Sequence, residues 1–168
     1  MPETGDEKQF LALLQGQQRL LYKVAYIYCR DPEERPDLLQ EIAIQLWRAF
    51  PHYDKRASVS TWAYRVAANA AISYRRHEGR RIRNTLPLDF AFDVADGAFE
   101  SDSAQARELR ALIDGLDELN RALMLFYLEG FDHAEIAEIL GTSASNVSTR
   151  LNRIKTKLQS QLAQSNKE

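Results

Sequence analysis

The chain has 168 residues and one cysteine, Cys29. A lone cysteine excludes an intrachain disulfide and a thiolate metal cluster. Glycine (7) and proline (5) are scarce, which fits helices better than the many tight turns of an all-β chain. No apolar run approaches the roughly 20 residues that a membrane-spanning helix requires. The opening "MPETGDEKQF" lacks the basic flank and apolar stretch of a signal peptide, so a cytoplasmic protein is expected. The parts of an enzyme are missing too. His52, His77 and His133 stand far apart, no acidic cluster has metal-ligand spacing, and neither a Gly-rich phosphate loop nor a nucleophile elbow occurs. No catalytic residue, metal site or cofactor is expected, and the chain reads as a non-enzyme.

Charge of one sign is missing locally rather than globally. The net charge is only −2, yet Ile139 to Lys167 contains five cations and no acid, and Thr85 to Ala104 contains five acids and no Lys or Arg. From Arg75 to Arg83 there are five arginines and a single acid. Two basic regions flanking an acidic one produce local fields that the net charge hides.

What is present is 45% hydrophobic residues in helical patterns. Phe10, Leu13, Leu14, Leu20, Leu21 and Val24 recur at helical spacing. In "DLLQEIAIQLWRAF", Leu38, Leu39, Ile42, Leu46, Trp47 and Phe50 form one apolar face, and Pro51 ends it. "HYDKRASVS" reads as a polar loop, and Thr61–His77 as an Ala-rich helix. The acidic stretch with Pro, Gly and Ser has no sustained period and reads as a linker, although Phe90, Phe92 and Phe99 give it something to pack with. The expectation is an all-α chain: a helical domain over 1–83, an acidic flexible linker over 84–104, and a second helical domain over 105–168.

The segment "FDHAEIAEILGTSASNVSTRLNRIKTKL" predicts a helix-turn-helix. Asp132 and Glu135 have capping-box spacing, and Phe131 with Ile136 could staple the helix start. Ile136, Ile139 and Leu140 form the buried side. Gly141 suits the left-handed residue that ends a helix, and Ser143 can cap the next one. In that second helix Val147, Leu151, Ile154 and Leu158 define one apolar stripe. At about 100° per residue, Ser145, Thr149, Asn152 and Arg153 point the other way, with Asn146 and Arg150 on the shoulder. A helix lying in the major groove needs base contacts from its first turns and phosphate contacts from its cations. Candidate readers are Ser145, Asn146, Thr149 and Arg153, with Arg150 and Lys155 nearer phosphates.

In the first domain "STWAYRVAANAAISYRRH" puts aromatics and cations on one helix. That combination suits unstacked bases and their phosphates; it is equally what a core aromatic pair with solvated arginines would give. "ERPDLLQE" places Asp37 and Glu41 on one face at i, i+4. They form either a solvated helix start or an acidic patch for a basic partner.

Together these segments resemble the extracytoplasmic-function group of bacterial RNA polymerase sigma factors over nearly the whole chain. "DLLQEIAIQLWRAF" is similar to region 2.2, "ASVSTWAYRVAANAAISYRRH" to regions 2.3 and 2.4, and "LDELNRALMLFYLEGFDHAEIAEILGTSASNVSTRLNRIKTKL" to region 4. The resemblance implies a sigma factor subunit that binds core RNA polymerase, recognises the −35 and −10 promoter elements and helps open the DNA. It implies docking of Asp37, Gln40 and Glu41 on the β′ coiled coil. It implies −10 recognition by the loop at 54–60 with Thr61, Trp62, Arg65 and Asn69, and by the helix end carrying Ser73, Arg75 and Arg76. Region 4 would read the −35 element through Ser145, Asn146, Thr149, Arg150, Arg153 and Lys155 and dock on the β flap. An anti-sigma factor is a further possible partner. Val59 and Ser60 depart from the aromatic and basic residues common in the family, and Pro36 from the acid that often precedes the docking Asp. The alternative is a stand-alone helix-turn-helix regulator, which would bind duplex DNA tightly without polymerase.

Overall fold

A computed structural model describes residues 4–76 and 103–167. The acidic linker, apart from its last two residues, Ser103 and Ala104, lies outside the described residues, as do Arg80, Arg81 and Arg83. The chain divides into two compact units, Met1–Asp96 and Gly97–Glu168, and all regular structure among the described residues is helical.

The first unit holds α1 (Thr4–Tyr28), α2 (Arg35–Ala49), a short 3-10 turn at Phe50–His52, and α3 (Val59–Arg76). α3 packs against both α1 and α2, and its composition explains why it can. Ala63, Ala67, Ala68 and Ala71 are buried, so two larger helices approach its backbone closely. They bring Phe10, Leu14, Leu21 and Val24 from α1 and Leu38, Leu39, Ile42 and Leu46 from α2. Each such side chain contributes about 1.5–3 kcal/mol on burial. Phe10 meets the edge of Trp47 at 4.8 Å between ring centroids and Phe50 at 5.6 Å, which closes one end of this core.

α3 begins two residues earlier than the sequence reading placed it. Ser58 is the cause. Its hydroxyl accepts from the Thr61 backbone N–H at 3.1 Å, as an N-cap does, and Val59 and Ser60 are thereby drawn into the first turn.

The junction of α1 and α2 is held by a buried arginine. Arg35 Nε donates to the Cys29 carbonyl at 3.0 Å and Nη2 to the Arg30 carbonyl at 3.2 Å. A cation over carbonyls just past a helix C-terminus also complements the dipole, and the guanidinium lies 4.6 Å from the Tyr26 ring centroid. Beside it, burial pushes the Cys29 thiol above its ordinary range, with a backbone hydrogen bond at Asp31 acting the other way.

The second unit holds α4 (Ala104–Asp114), α5 (Glu118–Leu128), α6 (His133–Leu140) and α7 (Ala144–Ser165). Its caps are explicit. Asp117 accepts from Asn120 N–H at 2.9 Å. Asp132 and Glu135 form the full capping box, with bonds of 2.8 and 3.0 Å. Gly141 ends α6 in the left-handed region at φ 68°, where a side chain would be strained. Ser143 then caps α7 by accepting from Asn146 N–H at 3.1 Å. Val147, Leu151, Ile154 and Leu158 are all buried, as are Ile136 and Ile139; Leu140 is half-buried. Phe131 lies edge-on to Phe126 at 6.1 Å.

Two expectations follow for the chain. Asp132→Ala removes one acceptor of the capping box and is expected to cost about 1 kcal/mol, read as roughly fivefold faster hydrogen exchange of α6 amides. Trp47 and Trp62 both belong to the first unit, so the tryptophan fluorescence transition should not move; a matching shift there would mean the units unfold as one. Cys29, protonated and buried, is expected to react slowly with iodoacetamide at pH 8 and to gain reactivity sharply once urea unfolds the chain.

Candidate nucleic-acid and polymerase interfaces

The outward face of α7 follows from its buried stripe. Ser145, Thr149, Asn152 and Arg153 are exposed, and Asn146 and Arg150 are half-buried at its edge. The Thr149 hydroxyl donates to the Ser145 carbonyl at 3.0 Å, which fixes its rotamer and leaves its lone pairs as acceptors. Asn146 Nδ2 donates to Thr142 Oγ1 at 2.8 Å, and Arg150 Nε donates to Asn146 Oδ1 at 3.3 Å. A polar chain thus runs from the turn into the second turn of the helix.

Lys155 departs from the expectation that placed it near phosphates. Its ammonium sits 3.9 Å from the centroid of the Tyr127 ring on α5, and the residue is half-buried. A cation held over an aromatic face is attracted by the ring quadrupole. Lys155 therefore ties α7 to α5 in this structure instead of standing on the outward face.

On α3 the residues attributed to −10 recognition separate into two groups. Asn69, Ser73, Arg75 and Arg76 are exposed and Arg65 is half-buried. Arg65, Asn69, Ser73 and Arg76 succeed one another at intervals of four, four and three, so they line one stripe. Thr61 and Trp62 do not stand on the open surface: they are 3% and 5% exposed. Thr61 Oγ1 accepts from the Ser58 hydroxyl at 3.0 Å. Trp62 lies under Tyr53, ring centroids 4.7 Å apart and planes tilted by 34°. An open stacking face for a base is therefore not offered by Trp62 in this conformation.

The loop before α3 is built rather than slack. The Tyr53 hydroxyl donates to the Ala57 carbonyl at 2.8 Å, Asp54 accepts from Arg56 N–H at 3.1 Å, and Lys55 turns the chain at φ 62°. Ser60, one of the departures from the family pattern, donates to Gln17 of α1 at 3.2 Å. It serves packing between α1 and α3. Tyr53 escaped the sequence reading because only the fold stacks it on Trp62.

The acidic face of α2 is wider than the sequence reading drew it. Asp37 and Gln40 are exposed, and half-buried Glu41 accepts from Gln45 at 2.7 Å. Just ahead, Asp31, Glu33 and Glu34 are exposed too. Arg35, the one cation within Asp31–Glu41, is buried in its cap. The run "DPEERPD" carries this signal in its charges, whereas the patch expected from sequence holds Asp37, Gln40 and Glu41 alone. Among the described residues, no three His, Cys, Asp or Glu gather to hold a metal, and no helix is long and apolar enough to cross a membrane.

Two family descriptions match this chain, Sigma-70 region 2 over residues 13–81 and Sigma-70, region 4 over residues 106–158. The ECF RNA polymerase sigma-E factor of Escherichia coli K12 is 30% identical over 168 residues, covering 89% of this chain and 84% of that protein. The RNA polymerase sigma factor NccH of Alcaligenes xylosoxydans xylosoxydans is 30% identical over 165 residues, covering 92% and 87%. The chain belongs to the ECF RNA polymerase sigma factors. It directs RNA polymerase to promoters and is not an enzyme. The fold agrees with two solved structures. One is the sigma factor RpoE of Bartonella quintana in complex with the anti-sigma factor NepR, at TM-score 0.69 and 21% identity over 93% of this chain and 98% of that one. The other is CnrH in complex with the cytosolic domain of CnrY, at TM-score 0.65 and 19% identity over 94% and 89%.

The placement of Lys155 is testable in this sigma factor. Lys155→Ala and Tyr127→Leu are each expected to weaken the second unit by about 0.5–1 kcal/mol, with the double variant little worse than either. The salt dependence of promoter binding by the polymerase complex should hardly change. A slope shallower by about 0.9 for Lys155→Ala, the loss of one phosphate contact, would put Lys155 back on the DNA.

Proposed function

We propose that the two units of this sigma factor divide the promoter and the polymerase between them. The domain over 1–83 docks on the β′ coiled coil through Asp37, Gln40 and Glu41, with Asp31, Glu33 and Glu34 extending the patch. Its α3 stripe of Arg65, Asn69 and Ser73, with Arg75 and Arg76 at the helix end, follows the −10 element during strand opening. Thr61 and Trp62 act beneath that surface, by holding the start of α3 and the Tyr53 loop. The domain over 105–168 sets α7 in the major groove of the −35 element and docks on the β flap, and residues 84–104 join the two.

The observation that most supports this division is the separation of charge onto different helices. Five acids and a single buried cation occupy Asp31–Glu41, whereas α7 carries no acid and exposes Arg153 and Lys157. An acidic surface repels DNA and suits a basic protein partner; an acid-free polar face with a buried opposite side suits a groove. An anti-sigma factor is proposed as a further partner, because one of the similar solved structures is a sigma factor in complex with an anti-sigma factor and the other is CnrH in complex with the cytosolic domain of CnrY. Work alongside polymerase places the protein in the cytoplasm.

In vitro transcription with a cognate core polymerase, combined with a core-binding assay, tests the division. Thr149→Ala and Arg153→Ala are expected to lower use of a −35-dependent promoter by roughly 5- to 100-fold each, the worth of a lost base contact, with core binding intact. Asp37→Arg with Glu41→Arg should weaken core binding at least tenfold through charge reversal. Loss of core binding by the α7 variants would overturn the assignment of that face.

A further inference from the structure

Asn146 occupies the first turn of α7, where a side chain would ordinarily be expected to read a base. Its amide is already engaged at both ends. Nδ2 donates to Thr142 Oγ1 at 2.8 Å, and Oδ1 accepts from Arg150 Nε at 3.3 Å. The chemistry fixes which end is which, because a guanidinium can only donate and the oxygen must therefore face it. Bidentate recognition of adenine needs both the oxygen and the nitrogen of the amide on one open edge. Here each already holds one bond within the protein, which leaves one N–H and one lone pair, and the residue is half-buried.

Thr142 is itself anchored. Its backbone N–H donates to the Ala137 carbonyl at 3.0 Å, next to the left-handed Gly141 that ends α6. The Asn146 backbone N–H is tied to the Ser143 cap. Hydrogen bonds of 3.0, 2.8 and 3.3 Å thus link the end of α6 through Thr142 and Asn146 to the guanidinium of Arg150. Arginine has five N–H donors in a rigid plane. With Nε committed to Asn146, the plane is oriented and the two terminal nitrogens keep four donors for an outside acceptor. End-on, those nitrogens can grip the O6 and N7 of a guanine or the oxygens of a phosphate.

We infer that Asn146 is a positioning residue that aims Arg150, and that Arg150, not Asn146, makes the direct contact with a −35 guanine through its terminal nitrogens. The inference rests on the proposed seating of α7 in the major groove. It moves Arg150 from the phosphates to a base and moves Asn146 from a base to the support behind it.

The test uses the whole 168-residue chain with core polymerase on promoters varied one base pair at a time across the −35 element. Arg150→Ala is expected to flatten preference at one G·C pair by 5- to 100-fold. Asn146→Ala should flatten preference at the same pair by about 3- to 10-fold, with no further loss when added to Arg150→Ala, because a residue acting through another has nothing left to act on. Thr142→Val should give a weaker version of the same change and Thr142→Ser should restore it, a pattern that mere loosening of the domain would not produce. Additive effects of Asn146→Ala and Arg150→Ala at different base pairs would overturn the inference and make Asn146 a reader in its own right. A uniform loss for Arg150→Ala at every base pair, with a shallower salt slope, would overturn it by returning Arg150 to a phosphate. If Arg153→Ala still weakens −35 use in either case, the seating of α7 stands; if no α7 variant changes it, the seating fails as well.

Discussion

Burial of Val147, Leu151, Ile154 and Leu158 decides what the second unit can present. Four side chains at intervals of four, three and four are all buried, and together they are worth several kcal/mol to the fold. That stripe fixes the rotation of α7 about its own axis. Once it is fixed, Ser145, Thr149 and Arg153 can only face outward, and Lys155 can only sit at the flank where Tyr127 waits. Rotating the helix by one residue would move about 100° of its surface and put polar groups into the core without partners. The polar face proposed to read DNA is therefore a by-product of packing, and its accuracy is inherited from the core.

The caps act on the same problem from the helix ends. Gly141 in the left-handed region and the Ser143 cap set where α6 stops and α7 begins, with no residue to spare. The hydrogen-bonded chain from Thr142 through Asn146 to Arg150 carries that placement outward to a guanidinium. In the first unit Ser58 and Arg35 do corresponding jobs. Ser58 starts α3, and Arg35 finishes α1 while its charge is used up inside the fold. The consequence for Arg35 is electrostatic: a cation in the middle of an acidic run is withdrawn from the surface, and the face of α2 is more negative than its composition states.

The helix-turn-helix was legible in the sequence because every signal there is local. Caps, a left-handed glycine and a periodic stripe involve residues within four positions of one another, and Asp132, Gly141, Ser143 and the α7 stripe all fall where periodicity puts them. The start of α3 was misplaced by two residues because Ser58 stood inside a run of loop-forming residues and its capping role competes with several equivalent neighbours. Trp62 and Lys155 were harder for a different reason. Lys155 is set near phosphates by its position on one helix, and Trp62 is set at the −10 element by the family resemblance while its helix leaves a core role open; each is claimed by an aromatic ring from elsewhere in the chain, Tyr127 or Tyr53. Sequence spacing shows which face a residue occupies but not which flank of that face another element will cover.

The division of charge also bears on why such a protein works through polymerase. On the proposed reading, α7 brings few cations to the DNA. Lys155 is turned to Tyr127, Arg150 is aimed at a base, and Arg153 shares in base reading, so Lys157 is the main residue left within the groove-facing turns for phosphate. Each neutralised phosphate changes the logarithm of affinity by about 0.9 per decade of salt, so these few cations give α7 little non-specific binding at cellular ionic strength. The acidic face of α2 works further against free DNA association. On the proposed reading α7 holds DNA poorly by itself and discriminates well once the arginines of α3 and the polymerase supply the electrostatic grip. On that reading selectivity comes from a few oriented donors whose positions are set by the core, and affinity comes from the assembly that the acidic face is proposed to recruit.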